Sequence, residues 1–158
     1  MKDHRFIELL QKARDDGVLP LRPKGFQSRD VLKYLEEGGD PNASTVDGLC
    51  LLHLLADDSA DGELISLVVT RGAKIDARDR FGQTPLHLAV DADCDSSSRD
   101  GCRPSQLPTT KTLIELGADE MACAINGNTP RDFAAAYGRH ELQLYDAISR
   151  LKKDSKVI

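Results

Sequence analysis

Two rows of glycine residues recur at the same intervals, and this period constrains the fold more than any other feature of the chain. One row follows helix-like segments and the other lies in turn-like segments. The two rows are Gly38, Gly72 and Gly117, and Gly48, Gly82 and Gly127. In both rows the first interval is 34 residues and the second is 45. A fixed period of this size indicates a repeat architecture, so we predict repeats of about 33 residues, of which the second carries an insertion of about 12 residues.

The best-preserved turn lies at residues 81–90, which read Phe-Gly-Gln-Thr-Pro-Leu-His-Leu-Ala-Val. Gly82 permits a positive φ in this turn. The hydroxyl of Thr84 can cap the first amides of a helix. Pro85 suits the first helical position, because the N–H that it lacks would have no partner there. In the preceding turn Cys50 replaces the threonine, so we expect the helix that follows it to lack the cap.

These segments resemble the ankyrin repeat, whose unit opens with Gly-x-Thr-Pro-Leu-His-x-Ala and ends with Gly-Ala-Asp. Residues 82–89 match every fixed position of the opening, and residues 117–119 match the ending. Residues 127–134 depart from the opening at Arg131 and Asp132, whereas residues 48–53 keep the Gly, Leu and His but lack Thr-Pro. The resemblance covers about residues 28–150. It implies an all-α ankyrin-repeat solenoid of about four helix-turn-helix repeats linked by β-turn fingers, in which the two terminal repeats act as caps.

The whole chain, 1–158, is predicted to form one ankyrin-repeat domain. We place an N-terminal capping repeat at 1–43, repeats at 44–76 and 77–121, and a C-terminal capping repeat at 122–158. Apolar periodicity predicts helices at 3–13, from Ser28 or Asp30 onward, and at 51–56, 63–70, 85–92, 110–116, 130–137 and 140–151. Residues 93–108 are rich in Ser, Asp, Gly and Pro, so we expect a surface loop there, within a long insertion at 91–108.

Composition and charge argue against several classes of function. The formal net charge of −5 disfavours nucleic-acid binding, which usually needs a basic face. No apolar run reaches the roughly 18 residues of a membrane helix, and the charged start of the chain does not resemble a signal peptide. We therefore expect a cytoplasmic protein that is monomeric by itself and has reduced cysteines. Secretion as an effector by a non-classical route is the alternative.

The resemblance implies a surface for a protein partner, formed on a concave face by the turn tips and the first helix of each repeat. The candidate partner-binding residues are Val46, Leu49, Asp57, Asp58, Arg78, Arg80, Phe81, Gln83, Asp91, Ile125, Asn126, Asn128 and Tyr137. Phe81, flanked by Arg78 and Arg80, is the strongest candidate because aromatic and arginine residues dominate interface energetics. The alternative is that the Phe81 ring folds back on its turn. The aspartates predict a partly acidic wall that favours a basic partner, or a merely solvated helix face.

The histidines and cysteines that could take part in catalysis or metal binding are interpreted here as structural residues. The resemblance implies that His53 and His87 form hydrogen bonds within the turn and tie neighbouring repeats together. Cys50 and Cys123 fall at repeat positions and are expected to be semi-buried. No nucleophile elbow, P-loop or zinc-protease motif is present. We therefore predict a protein that is not an enzyme and has no cofactor or metal.

The predicted loop gives a second hypothesis. Cys94 and Cys102 both lie in it, where a disulfide would make the protein a redox- or ligand-responsive module. Their spacing is not that of a zinc knuckle, and no nearby histidine completes a four-ligand site. The leading hypothesis remains a non-catalytic adaptor, inhibitor or effector that binds a protein partner, with the responsive module at 91–108 as the alternative.

Overall fold

The computed structural model describes residues 4–12, 26–58, 61–99 and 106–155. Within these residues the chain has eight α-helices and one isolated β-bridge, between Ser44 and Cys50. The helices are α1 (His4–Lys12), α2 (Ser28–Glu36), α3 (Leu51–Asp57), α4 (Gly62–Thr70), α5 (Pro85–Arg99), α6 (Pro108–Glu115), α7 (Pro130–Tyr137) and α8 (Arg139–Ser155). The predicted all-α class is confirmed, and most helix bounds agree to within a few residues.

Helices α3 to α8 pack in two rows, and α1 packs against α2. In the first row α3 contacts α5 and α5 contacts α7, and in the second α4 contacts α6 and α6 contacts α8. Each first-row helix also contacts the second-row helix that follows it in the chain. The core lies between the rows and includes Leu52, Ile65, Leu86 and Ile114, all fully buried. Helix pairs that bury a continuous core against their neighbours form the predicted ankyrin-repeat solenoid.

Three short turns, which we call fingers, precede α3, α5 and α7 and comprise residues 45–49, 79–83 and 124–128. Each is closed by two backbone hydrogen bonds. The first runs from Thr45 N–H to Leu49 C=O, from Asp79 N–H to Gln83 C=O and from Ala124 N–H to Asn128 C=O, and the second runs from the N–H of Gly48, Gly82 or Gly127 to the C=O of the first residue of the finger. Neighbouring fingers are joined by 2.9 Å bonds, from Arg80 N–H to Asp47 C=O and from Ile125 N–H to Phe81 C=O. Gly82 has a φ of +70°, and a Cβ atom there would lie 3.1 Å from the Ile125 nitrogen. The predicted turn glycine is therefore confirmed.

Helix α5 runs to Arg99, well beyond its predicted end at 92. Asp93 is buried in this helix, and its Oδ2 accepts hydrogen bonds from the backbone N–H (2.9 Å) and the hydroxyl (2.8 Å) of Thr110 in α6. Cys94 is buried beside it. The expected loop is therefore wrong at residues 93–99, because tertiary contacts keep a segment of loop-like composition in a helix. Residues 100–105 of that loop lie outside the described residues.

Candidate protein-binding surface

His53 and His87 link each finger to the next one. Nδ1 of His53 accepts a 3.2 Å hydrogen bond from the backbone N–H of Cys50, so its Nε2 carries the proton and donates to the Gln83 carbonyl at 2.9 Å. His87 repeats the pattern, with Nδ1 facing Thr84 N–H at 3.1 Å and Nε2 facing the Asn128 carbonyl at 3.0 Å. Burial lowers the pKa of both imidazoles below the ordinary value of 6.5. These contacts agree with the structural role predicted for the two histidines.

The side chain three residues before each histidine also contacts the histidine ring. Thr84 Oγ1 lies 2.9 Å from His87 Nδ1, and Cys50 Sγ lies 3.1 Å from His53 Nδ1. As expected, Cys50 makes no side-chain cap hydrogen bond to α3, although it forms a capping box with His53. The thiol occupies the place of the hydroxyl, so the first and second fingers enter their helices in the same way.

Large apolar side chains project from the tips of the fingers. Val46 is 87% exposed, Ile125 is 77% exposed and Phe81 is 48% exposed. Backbone hydrogen bonds between neighbouring fingers hold these tips in a fixed row. A row of exposed apolar side chains bordered by polar groups is typical of a protein interaction site.

Arg80 and Phe81 contact each other within this row. The guanidinium carbon of Arg80 lies 4.6 Å from the centre of the Phe81 ring, and its Nη1 lies 2.7 Å from Asp47 Oδ1 on the preceding finger. Phe81 therefore stays half-exposed with a cation over it instead of folding back on its turn. The arrangement is held in place before any partner binds, which reduces the entropy lost on association. Asp47 was missed by sequence reasoning, although an acidic residue one period before an arginine was a usable signal.

The side chain of Arg78 donates hydrogen bonds to two backbone carbonyl groups. Its Nη1 donates to the Gly82 carbonyl at 3.0 Å and to the Cys123 carbonyl at 2.5 Å. The guanidinium thus connects the second finger to the residue just before the third finger, and it is exposed. Asn126 and Asn128 are also exposed, on the third finger.

Partly exposed aspartates lie in the first-row helix α5 and directly after the first-row helix α3, and we call this set the acidic wall. Asp91 in α5 accepts a 2.8 Å hydrogen bond from the Tyr137 hydroxyl in α7. Burial and this carboxylate together raise the pKa of Tyr137. Asp58 follows α3 and accepts a hydrogen bond from the backbone N–H of Phe26 at 3.1 Å. Asp58, Asp91 and Asp95 are each partly exposed, so the wall presents negative charge to solvent.

Three predicted partner-binding residues are less accessible than expected. Leu49 is 5% exposed and Asp57 is 7% exposed, so the expectation that they face a partner is wrong. Leu49 packs into the core beneath its finger, and every residue of α3 is buried. Gln83 is partly buried, and its carbonyl is occupied by His53.

The cysteines give little support to a redox site. Cys94 is buried, and desolvation together with nearby carboxylates raises the pKa of its thiol to about 12, which disfavours the reactive thiolate. Cys102, its predicted disulfide partner, lies outside the described residues. Cys50 is buried, whereas Cys123 is exposed, so the expectation of a semi-buried side chain is wrong for Cys123.

The described part of the chain offers no metal centre, since it contains no group of three or more His, Cys, Asp or Glu side chains able to hold an ion. Among the same residues, no helix combines the length and the apolar character needed to cross a membrane.

No family model matches the chain. Curated relatives match it over part of their length. Protein fem-1 homolog A of Danio rerio is 40% identical over 92 residues, which are 57% of this chain and 15% of that protein. An ankyrin repeat-containing protein of Schizosaccharomyces pombe is 39% identical over 58 residues, 37% of this chain and 28% of that protein. Protein phosphatase 1 regulatory subunit 27 of Mus musculus is 36% identical over 85 residues, 54% of this chain and 47% of that protein. The chain thus spans less than half the length of each of these relatives.

Proposed function

Because the chain is an ankyrin-repeat protein, we propose that it is a non-catalytic module that binds another protein through its fingertips and first-row helices. The observation that carries the proposal is the exposed row of Val46, Phe81 and Ile125, with Arg80 held over the Phe81 ring. A partner that covers this row removes apolar surface from water, which is worth about 25 cal/mol per Å². Aromatic and arginine side chains are also the residues that most often dominate interface energetics.

The partner that fits this surface is a basic segment with an apolar anchor. The anchor packs against the fingertip row, while its cationic groups face Asp58, Asp91 and Asp95 on the wall. The formal net charge of −5 attracts such a partner over a longer range and raises the rate of association. Tyr137, hydrogen-bonded to Asp91, adds an amphipathic side chain to the acidic wall.

The module acts by covering a surface of its partner, as a cytoplasmic adaptor, inhibitor or effector. Such binding requires a rigid surface and no catalytic side chain. The mouse relative is named as a regulatory subunit of a phosphatase, which favours a regulatory role of this kind. The redox-responsive alternative is not proposed, because Cys94 is buried in α5.

The test compares proteins captured from the native cell by the wild type and by a Phe81→Ala/Arg80→Ala variant. Leu151→Ala is the matched control, since Leu151 is an exposed apolar residue on the second-row helix α8. A photo-crosslinking amino acid in place of Val46, and in place of Leu151 as its control, identifies the contact directly. We expect one partner that crosslinks at position 46 and whose capture falls at least tenfold, about 1.4 kcal/mol, in the double variant. Equal capture by both variants would show that the fingertips are not the binding surface.

A further inference from the structure

A set of forward contacts ties each repeat to the next one. A repeat is defined here as a finger and the helix pair after it: residues 45–49 with α3 and α4, 79–83 with α5 and α6, and 124–128 with α7 and α8. The histidine of the first repeat donates to the second finger at Gln83, and that of the second repeat donates to the third finger at Asn128. Both bonds reach one repeat forward along the chain.

A second contact of the same kind lies at the loop before each finger. Asn42 Oδ1 accepts a 2.8 Å hydrogen bond from the backbone N–H of Lys74, and Asp76 Oδ1 accepts one of 2.8 Å from the N–H of Asp119. These donors and acceptors are spaced by the same intervals as the fingers. The acceptor position is therefore a second forward contact, independent of the histidines.

The third repeat cannot make the forward histidine bond. Asp132 takes the histidine position and keeps only the inner contact, accepting 2.8 Å bonds from the N–H and the hydroxyl of Thr129. Those two hydrogen bonds lower the pKa of Asp132, so the group is a carboxylate at neutral pH. A carboxylate has no hydrogen to donate to the carbonyl of a further finger.

Three other matched positions change in the same repeat. Met121, 76% exposed, replaces the acceptors Asn42 and Asp76. Arg131, exposed and 2.8 Å from Asp146, replaces the fully buried Leu52 and Leu86. Leu151 replaces the helix-ending glycines Gly72 and Gly117 and lies inside α8, which continues to Ser155.

We infer that the third repeat closes the stack: its outward face does not accept a further ankyrin repeat. All four matched positions hold a different residue in the third repeat. Two of them lose a forward hydrogen bond, and at the position of Leu52 and Leu86 a buried apolar side chain is replaced by Arg131, which pairs with Asp146. A charged pair at a position that is buried in the other repeats suits the outer face of a terminal repeat, which has to stay in contact with water.

Two lengthened chains test this inference. In one, residues 1–121 are joined to a second copy of residues 77–158, so that the added unit follows the second repeat. In the other, residues 1–155 are joined to the same copy, so that the unit follows the third repeat at the 34-residue interval of the first and second repeats. We expect the added unit to unfold together with the first chain but independently of the second. Urea unfolding and hydrogen exchange at the added finger measure the coupling, with exchange ~tenfold faster in the second chain.

A third chain carries Met121→Asp, Arg131→Leu, Asp132→His and Leu151→Gly in the first copy of the second design. It is expected to regain coupling. Equal coupling in the two parent chains would overturn the inference, and so would failure of the four substitutions to increase it. Reciprocal changes in the unmodified chain give a second measurement, since His87→Asp should lower Tm by several degrees whereas Asp132→His should change it little.

Discussion

Cys50 and Thr84 occupy the same position in consecutive fingers and touch the histidine three residues later. The Cys50 sulfur lies 3.1 Å from His53 Nδ1, and the Thr84 hydroxyl lies 2.9 Å from His87 Nδ1. Because the two sites match, we expect Cys50→Thr to change the free energy of unfolding by less than about 1 kcal/mol, the size of an ordinary hydrogen bond. Urea unfolding followed by circular dichroism measures the change.

Cys50→Val is the matched control, because valine has the shape of threonine without the hydroxyl. We expect the valine variant to be less stable than the threonine variant by about 1 kcal/mol. Equal stabilities would mean that the contact with His53 contributes nothing to folding.

Individual site residues were predictable where a turn fixes the direction of the side chain. Val46, Phe81 and Ile125 each lie one or two residues before the glycine of their turn, and all three are exposed. Leu49 and Asp57 were predicted to be exposed and are buried. Their burial comes from packing around the first finger and α3, which the pattern of a single repeat does not encode.

Helix α5 lies at the centre of the first row, where small side chains allow close packing. Ala89 is fully buried in α5, which contacts both α3 and α7. Ala89→Leu adds three carbon atoms at this crowded site, so we expect it to lower the free energy of unfolding by about 1–3 kcal/mol. The matched control is Ala135→Leu, on an exposed position of α7, which should change stability by no more than about 0.5 kcal/mol. Similar losses in the two variants would contradict the packing argument.

A buried carboxylate joins the extended part of α5 to the start of α6. Asp93 accepts two hydrogen bonds from Thr110, which fix the start of α6. We expect Asp93→Ala to cost about 1–3 kcal/mol, because the Thr110 groups are left buried without that acceptor. Asp93→Asn keeps an acceptor oxygen and should lose less. Thermal unfolding of the two variants decides the point, and an alanine variant as stable as the asparagine variant would show that Asp93 does not anchor α6.

The number and order of the helices could be predicted, because two glycine rows mark the turns and the helix ends. The length of α5 could not. Residues 93–99 contain Asp, Cys, Ser and Arg, which on local preference favour a loop. The bond between Asp93 and Thr110 joins residues 17 apart in the chain, and a contact at that distance leaves no periodic signal in the sequence.

At the scale of the whole molecule, the two histidine links make the stack sensitive to acid. Both imidazoles must be neutral, because Nδ1 accepts a backbone hydrogen bond while Nε2 donates one. Burial lowers the pKa of each below 6.5. Between that lowered value and 6.5 the unfolded chain binds more protons than the folded chain. The free energy of unfolding therefore falls as the pH drops below about 6.5, by at most about 1.4 kcal/mol per pH unit for each histidine.

Urea unfolding at pH 7.5 and pH 5.5 measures this loss, and a His53→Gln/His87→Gln variant isolates its source. Asp93 acts in the opposite direction, since burial raises its pKa and its contribution is lost as the pH rises. The wild type and the variant share Asp93, so the difference between their pH dependences belongs to the two histidines. We expect the variant to be less stable at pH 7.5 but to lose less stability on acidification. An identical loss of stability in the two proteins would show that the acid sensitivity does not come from these histidines. The single variants His53→Gln and His87→Gln should each remove part of the loss if the two histidines titrate separately.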